Sequence, residues 1–208
     1  MRRAIIGGGL ALLGLPCLAA PPVQICLGDS NEWPPYTYWQ RVDGEVDRNR
    51  LTGSASTLVL TALEHLGLQY EVHYMPWARV QQELADFAEK GRCELTWDAS
   101  YNAERAAYAH YSAPLYETRL GLFYSAERFA DVPLPALLQN LQAFRVCGVI
   151  GYNYQPYGVG EAIKRFPGIQ QNLEMLQRQR CDFFPSEIEP LYGGLALGIY
   201  QGHEQLRH

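Results

Sequence analysis

The sequence predicts an α/β protein of two lobes, each a mainly parallel sheet flanked by helices, with the second lobe shorter than the first. Two observations predict it. Strand and helix periodicities alternate from residue 23 to residue 110, the pattern of parallel strands joined by helical crossovers. The alternation then restarts near Arg119. The organisation expected is a leader of residues 1–19, a first lobe of 20–118 and a second lobe of 119–208.

Residues 23–28 are a short apolar run that reads as a buried strand, followed by a loop rich in Trp, Pro and Tyr. Gly44, Asp47 and Asn49 mark turns. Over 54–66, Leu58, Val59, Ala62, Leu63 and Leu66 fall on one helical face, and Gly67 can end the helix. Residues 69–74 alternate as a strand does. Pro76 opens a second helix where its missing N–H costs nothing, with Trp77, Val80, Leu84 and Phe87 as the buried stripe. Residues 93–97 read as a third strand, and Asn102 as the cap of a third helix reaching His110. In the second lobe the pattern gives strands at 119–124, 145–150 and 181–184. It places helices at 135–143, 159–166 and 172–179, and leaves little room for a second strand near 168–171.

Hydrophobic residues make up 48% of the chain, enough for a real core, and the net charge is -5. That sign argues against nucleic acid or an anionic membrane as partner, because both require a basic footprint. The 14 tyrosines and four tryptophans suit pocket walls, since they combine apolar area with a polar tip.

Arg2 and Arg3, the apolar run 4–15 and the small residues Ala19 and Ala20 form the pattern of a secretory signal peptide, with cleavage expected after Ala19. The run is short for a membrane span, and Pro16 before Cys17 disfavours lipid attachment. The protein is therefore expected in the periplasm. Cys26, Cys93, Cys147 and Cys181 remain after cleavage. An even number in an oxidising compartment implies two disulfides with three possible connectivities. A metal site is the weaker reading, since no two cysteines stand in a close C-x-x-C spacing.

Four blocks follow in order: Trp33-Pro34-Pro35-Tyr36-Thr37-Tyr38; Leu51-Thr52-Gly53 with Leu66-Gly67; Met75-Pro76-Trp77-Ala78-Arg79 leading to Gly91-Arg92-Cys93-Glu94-Leu95; and Ala103-Glu104-Arg105 with Tyr111-Ser112-Ala113-Pro114. In this order the chain resembles the periplasmic solute-binding proteins of the amino-acid-binding type, which serve ABC transporters. The resemblance spans about residues 24–195. It implies a hinged, monomeric two-lobed protein, a small-molecule solute in the cleft and a permease in the inner membrane as partner. It implies no metal and no cofactor.

By resemblance, Arg105 stands at the carboxylate-binding position, and a guanidinium fork suits a carboxylate; the alternative is a surface arginine paired with Glu104 or Asp98. Trp97 ends the third strand, and Asp98 and Ser100 follow in the loop where ligands bind in open parallel sheets. Asp98 either receives a ligand cation or neutralises Arg105. Trp33 and Tyr36 match aromatic positions that stack on ligands, or else pack a stiff loop. Trp77 lies on an apolar stripe and is read as core. Tyr152 and Asn153 occupy the turn that offers N–H groups to the carboxylate, although small hydroxyl residues are common there. That departure speaks against an ordinary α-amino acid. Glu187 matches an ammonium-binding acid, or is an exposed surface residue. The two-lobe reading also implies one disulfide per lobe, Cys26–Cys93 and Cys147–Cys181. The second lobe looks compressed, and the chain ends at His208, where the family continues.

The expected function is solute capture by hinge closure. One alternative is a periplasmic enzyme on the same fold, dehydratase-like, with Asp98, Glu187 and His110 as the available acid–base groups. Another is a sensory solute-binding module.

Overall fold

The computed structural model describes residues 20–28, 32–129, 141–159 and 163–208; the expected leader and most of the helix expected over 135–143 lie outside them. Strand β1 (Val23–Gly28) has Ile25, Cys26 and Leu27 buried in succession, so the middle of the strand is covered on both faces. A hairpin follows, β2 (Tyr38–Val42) and β3 (Glu45–Thr52), closed by Asp43 and Gly44 with φ of 52° and 86°. Two positive φ values are what a tight hairpin turn demands, and Asp-Gly supplies them.

Helix α1 (Ser54–His65) begins where the Ser54 and Ala55 amides donate to the carbonyls of Pro35 and Tyr36. Those bonds satisfy donors that a helix leaves open at its start. They also set the helix rotation: Ala55, Ser56 and Leu63 face inward, while Leu58 and Leu66 are 53% and 72% exposed. The expected face was thus partly wrong, because the docked N-terminus fixed the rotation.

Strand β4 (Tyr70–Met75) pairs in parallel with β1. Helix α2 (Trp77–Ala85) buries Val80, and a separate turn, α3 (Phe87–Lys90), leaves Phe87 partly exposed rather than in the stripe. The expected strand at 93–97 shrinks to one parallel bridge, Ile25 with Leu95. The expected helix to His110 is a single turn, α4 (Ala103–Ala106), capped by the Asn102 side chain accepting from the Arg105 amide at 2.7 Å. An Ala-rich stretch without an apolar stripe has nothing to hold a longer helix.

The chain crosses into β5 (Leu120–Ser125), which is antiparallel to both β8 (Phe184–Glu187) and β9 (Leu206–Arg207). The parallel part of this lobe is β6 (Cys147–Val149) with β7 (Lys164–Phe166), extended by a bridge from Val146 to Phe183. Residues 164–166, expected to end a helix, are therefore a strand, because their amides and carbonyls pair with the β6 edge. Pro167-Gly168 separates it from α5 (Ile169–Gln177), which buries Ile169, Leu173 and Leu176. Helix α6 (Ile188–Ala196) follows β8 and buries Leu191.

The first core gathers Ile25, Leu27, Ala55, Leu63 and Trp97; the second gathers Phe123, Val149, Leu173, Phe184 and Leu191. Disulfides join Cys26 to Cys93 and Cys147 to Cys181, with Cα separations of 5.5 and 5.9 Å. Among the described residues, no helix is long and apolar enough to cross a membrane.

Candidate functional site

A cavity of about 740 Å³ lies between the two lobes. Its first-lobe wall is the 33–37 loop, the Trp97–Ser100 loop, Arg105 and the 108–116 segment; its second-lobe wall is Tyr152 to Tyr154, Tyr157 and Glu187. Seven of the 14 tyrosines and three of the four tryptophans line it, so the aromatic surplus seen in the sequence is spent largely here.

The 33–37 loop is held rigid by paired backbone bonds between Trp33 and Thr37. Trp33 packs against both cores and meets Tyr152 edge-on, with ring centroids 5.7 Å apart. Tyr36 is not in the cavity wall. It is buried, stacked on Tyr116 at 3.6 Å, and donates to the Glu117 carbonyl. Its part in the site is to support Tyr116.

Asp98 sits at φ 62°, a left-handed conformation that Asp tolerates better than most residues. Tyr116 donates to its Oδ1 at 2.6 Å, and the Thr37 hydroxyl donates to the carboxylate as well. Thr37 Oγ1 in turn accepts from Trp97 Nε1 at 2.8 Å and from Ser56 at 3.1 Å. Trp97 is thus both cavity wall and anchor of this chain of bonds. Burial raises the Asp98 pKa to about 6, with the Thr37 and Tyr116 bonds opposing the rise. Glu187 ends β8 at the opposite wall, and burial raises its pKa too. Burial raises the Tyr116 and Tyr152 hydroxyls, and the charges of Asp98 and Glu187 act on both in the same direction. The two carboxylates therefore face the same pair of tyrosines.

Arg105 is buried and turned toward the cleft rather than to solvent, and it pairs with neither Glu104 nor Asp98. Its Nη1 donates to the Ser100 carbonyl and its Nη2 to the Gly151 carbonyl, both at 2.9 Å. Its guanidinium carbon lies 5.9 Å from the Trp77 ring centre, so Trp77 is a cleft residue as well as a packing one. Asn153 Nδ2 reaches Ser100 Oγ at 3.2 Å and the Tyr101 carbonyl at 3.1 Å. Ala78 backbone atoms stand 3.1–3.2 Å from where a Cβ on Gly151 would be. Gly151, Ser100, Arg105 and Asn153 together stitch the lobes.

All the expected site residues except Tyr36 therefore line one cavity. The sequence reading missed Thr37, Tyr116 and Tyr157. Thr37 lies inside the first quoted block and Tyr116 just past the last, and their role follows only from their bonds to Asp98. Among the described residues, no group of three or more His, Cys, Asp or Glu side chains could hold a metal ion.

No protein-family model matches the sequence, and no curated protein matches it. The fold has many solved counterparts. A substrate-binding protein of an amino acid ABC transporter aligns at TM-score 0.66 and 18% identity, over 88% of this chain and 76% of its own. A Streptococcus pneumoniae amino acid ABC transporter substrate-binding protein, solved with L-arginine, aligns at 0.65 and 17%, over 88% and 73%. A histidine kinase sensor domain similar to periplasmic binding proteins aligns at 0.65 and 20%, over 89% and 76%. At these identities the likeness concerns architecture, and the architecture of this chain is that of the periplasmic binding proteins, two α/β lobes facing each other across a cleft.

Proposed function

We propose that this protein captures a small polar solute, an amino acid or a related compound, by closing lobes 20–118 and 119–208 around it. The single observation that carries this reading is the aromatic cavity walled by both lobes, with Arg105 reaching across to Gly151. A solute that touches both walls stabilises the closed arrangement by its differential affinity for it. Trp33, Asp98, Ser100, Arg105, Tyr152 and Glu187 form the binding surface, with Trp97 and Asn153 completing it.

In this reading residues 1–19 direct export to the periplasm, and the monomeric protein hands its solute to the permease of an ABC transporter. Sensing is a second reading, favoured by the kinase sensor domain that shares the architecture; it changes the partner and leaves the cleft chemistry the same. Catalysis has less support. Asp98 and Glu187 could move protons, but the compared proteins bind or sense.

Thermal-shift screening of the purified protein against amino acids, amines and organic acids tests the proposal. A solute at one hundred times its Kd adds about 2.7 kcal/mol of stability. A solute recovered chemically altered would replace binding with catalysis, and no stabilising solute in any class would sink the reading.

A further inference from the structure

The cleft has a charge balance and a donor arrangement that choose among solutes. Three carboxylates line the cavity, Glu94, Asp98 and Glu187, against one guanidinium, Arg105. That guanidinium already donates to two carbonyls, Ser100 on its own lobe and Gly151 on the other. Those bonds aim the fork at backbone oxygens and hold the lobes together. Asp98 accepts from two hydroxyls and from no cation, and Glu187 forms no ion pair among the described residues. A carboxylate has about four lone-pair sites, so both can accept more.

We infer that the solute is an organic cation without a carboxylate, its positive group held between Asp98 and Glu187 and flanked by Trp33, Tyr116 and Tyr152. This rests on the solute-binding reading and names the solute class for the same site. An entering carboxylate would bring a further negative charge beside two that the protein leaves unneutralised. An ammonium or guanidinium neutralises them and meets the negative faces of the rings. Burial raises both acids above their ordinary range, the behaviour of carboxylates that lack a cation beside them. Tyr157, whose buried hydroxyl has no hydrogen-bond partner among the described residues, adds a polar contact at the second-lobe wall.

The test compares matched pairs that differ only in the carboxylate: agmatine with arginine, cadaverine with lysine, tyramine with tyrosine. Affinities are read by calorimetry on the purified protein. The expected result is that at least one decarboxylated amine binds roughly tenfold or more tightly than its parent amino acid, and that Glu187→Gln removes that preference. Asp98→Asn serves as the second variant if Glu187→Gln fails to fold. An amino acid that binds as tightly as its amine, or more tightly, overturns the inference and leaves solute capture standing. Binding of none of the six compounds overturns the inference. If the wider screen is also empty, the function falls with it.

Discussion

The Arg105 guanidinium donates to the carbonyl of Gly151, 46 positions along the chain and on the facing lobe, at 2.9 Å. This bond spans the cleft, so under the proposed closure it acts on any solute that needs both lobes. Arg105→Ala removes it together with the Ser100 bond and leaves both carbonyls to find water. A hydrogen bond to a charged group contributes about 1.5–3 kcal/mol, equivalent to roughly ten- to a hundredfold in affinity. Calorimetry should show that loss equally for cationic and neutral solutes. A loss confined to anionic solutes would identify the guanidinium as the carboxylate grip that the sequence resemblance implies.

Asp98→Asn should separate binding from stability. The Asp98 pKa is raised to about 6, so the folded state retains a proton that the unfolded chain releases. Stability therefore falls as pH rises between the unfolded value near 4 and about 6, and the deficit persists above it. Asparagine tolerates the left-handed backbone at φ 62° and carries no charge. The variant should be more stable than the parent at neutral pH by on the order of 1–3 kcal/mol, with the advantage gone near pH 4. Denaturant titrations at the two pH values check this. An unchanged or lower neutral-pH stability would mean that the carboxylate is better solvated than its surroundings imply.

How much of this was legible in the sequence differs by element. Residues 23–28 are readable because Ile25, Cys26 and Leu27 in succession mark a strand covered on both faces, and Asn102 because its cap is a local bond to the Arg105 amide. Residues 164–166 were misread, since three residues carry no period and their strand exists only by pairing with Cys147 to Val149. At the site, Trp33, Asp98 and Glu187 were found by position. The cross-cleft partner of Arg105 was not, because the Gly151 carbonyl is an acceptor that no side-chain pattern reveals. Tyr36 was assigned to the cleft by its match to a ligand-stacking aromatic position, while its stacking partner Tyr116 lines the cavity.

Gly53→Ala tests the coupling of α1 to the aromatic loop. Gly53 has φ 107°, and an added Cβ would stand 2.2 Å from the Tyr36 carbonyl oxygen. That carbonyl accepts from the Ala55 and Ser56 amides at the helix start, so it cannot retreat without breaking those bonds. The expected cost is about 2 kcal/mol or more, a fall in Tm of roughly 4–8 °C. A Tm within a degree of the parent would show that the loop yields.

The two disulfides offer an internal comparison. All four sulfurs are buried, so replacing either pair with serines makes a similar chemical change. The loops differ, with sequence separations of 67 from Cys26 to Cys93 and 34 from Cys147 to Cys181. Either loss should cost about 2–4 kcal/mol. Loop-closure entropy makes the longer one costlier by about 0.6 kcal/mol. Urea unfolding of the two double variants should rank them in that order, and the reverse ranking would show that local packing outweighs chain entropy.

Cation binding should depend on pH with a definite sign. Asp98 is ionised only above about pH 6, and burial raises Glu187 as well, so acid removes the charges that hold the solute. Burial raises Tyr116 and Tyr152 further, so both stay protonated over this range. Affinity for an amine should therefore rise from about pH 5 to about pH 7, by up to roughly tenfold per unit below the Asp98 pKa, then level off. His110 also lines the cavity and would oppose a cation when protonated, so the series is repeated with His110→Gln. The rise should survive that change and flatten in Asp98→Asn. A profile flat in the parent protein would mean that the amine makes its main contact away from both carboxylates.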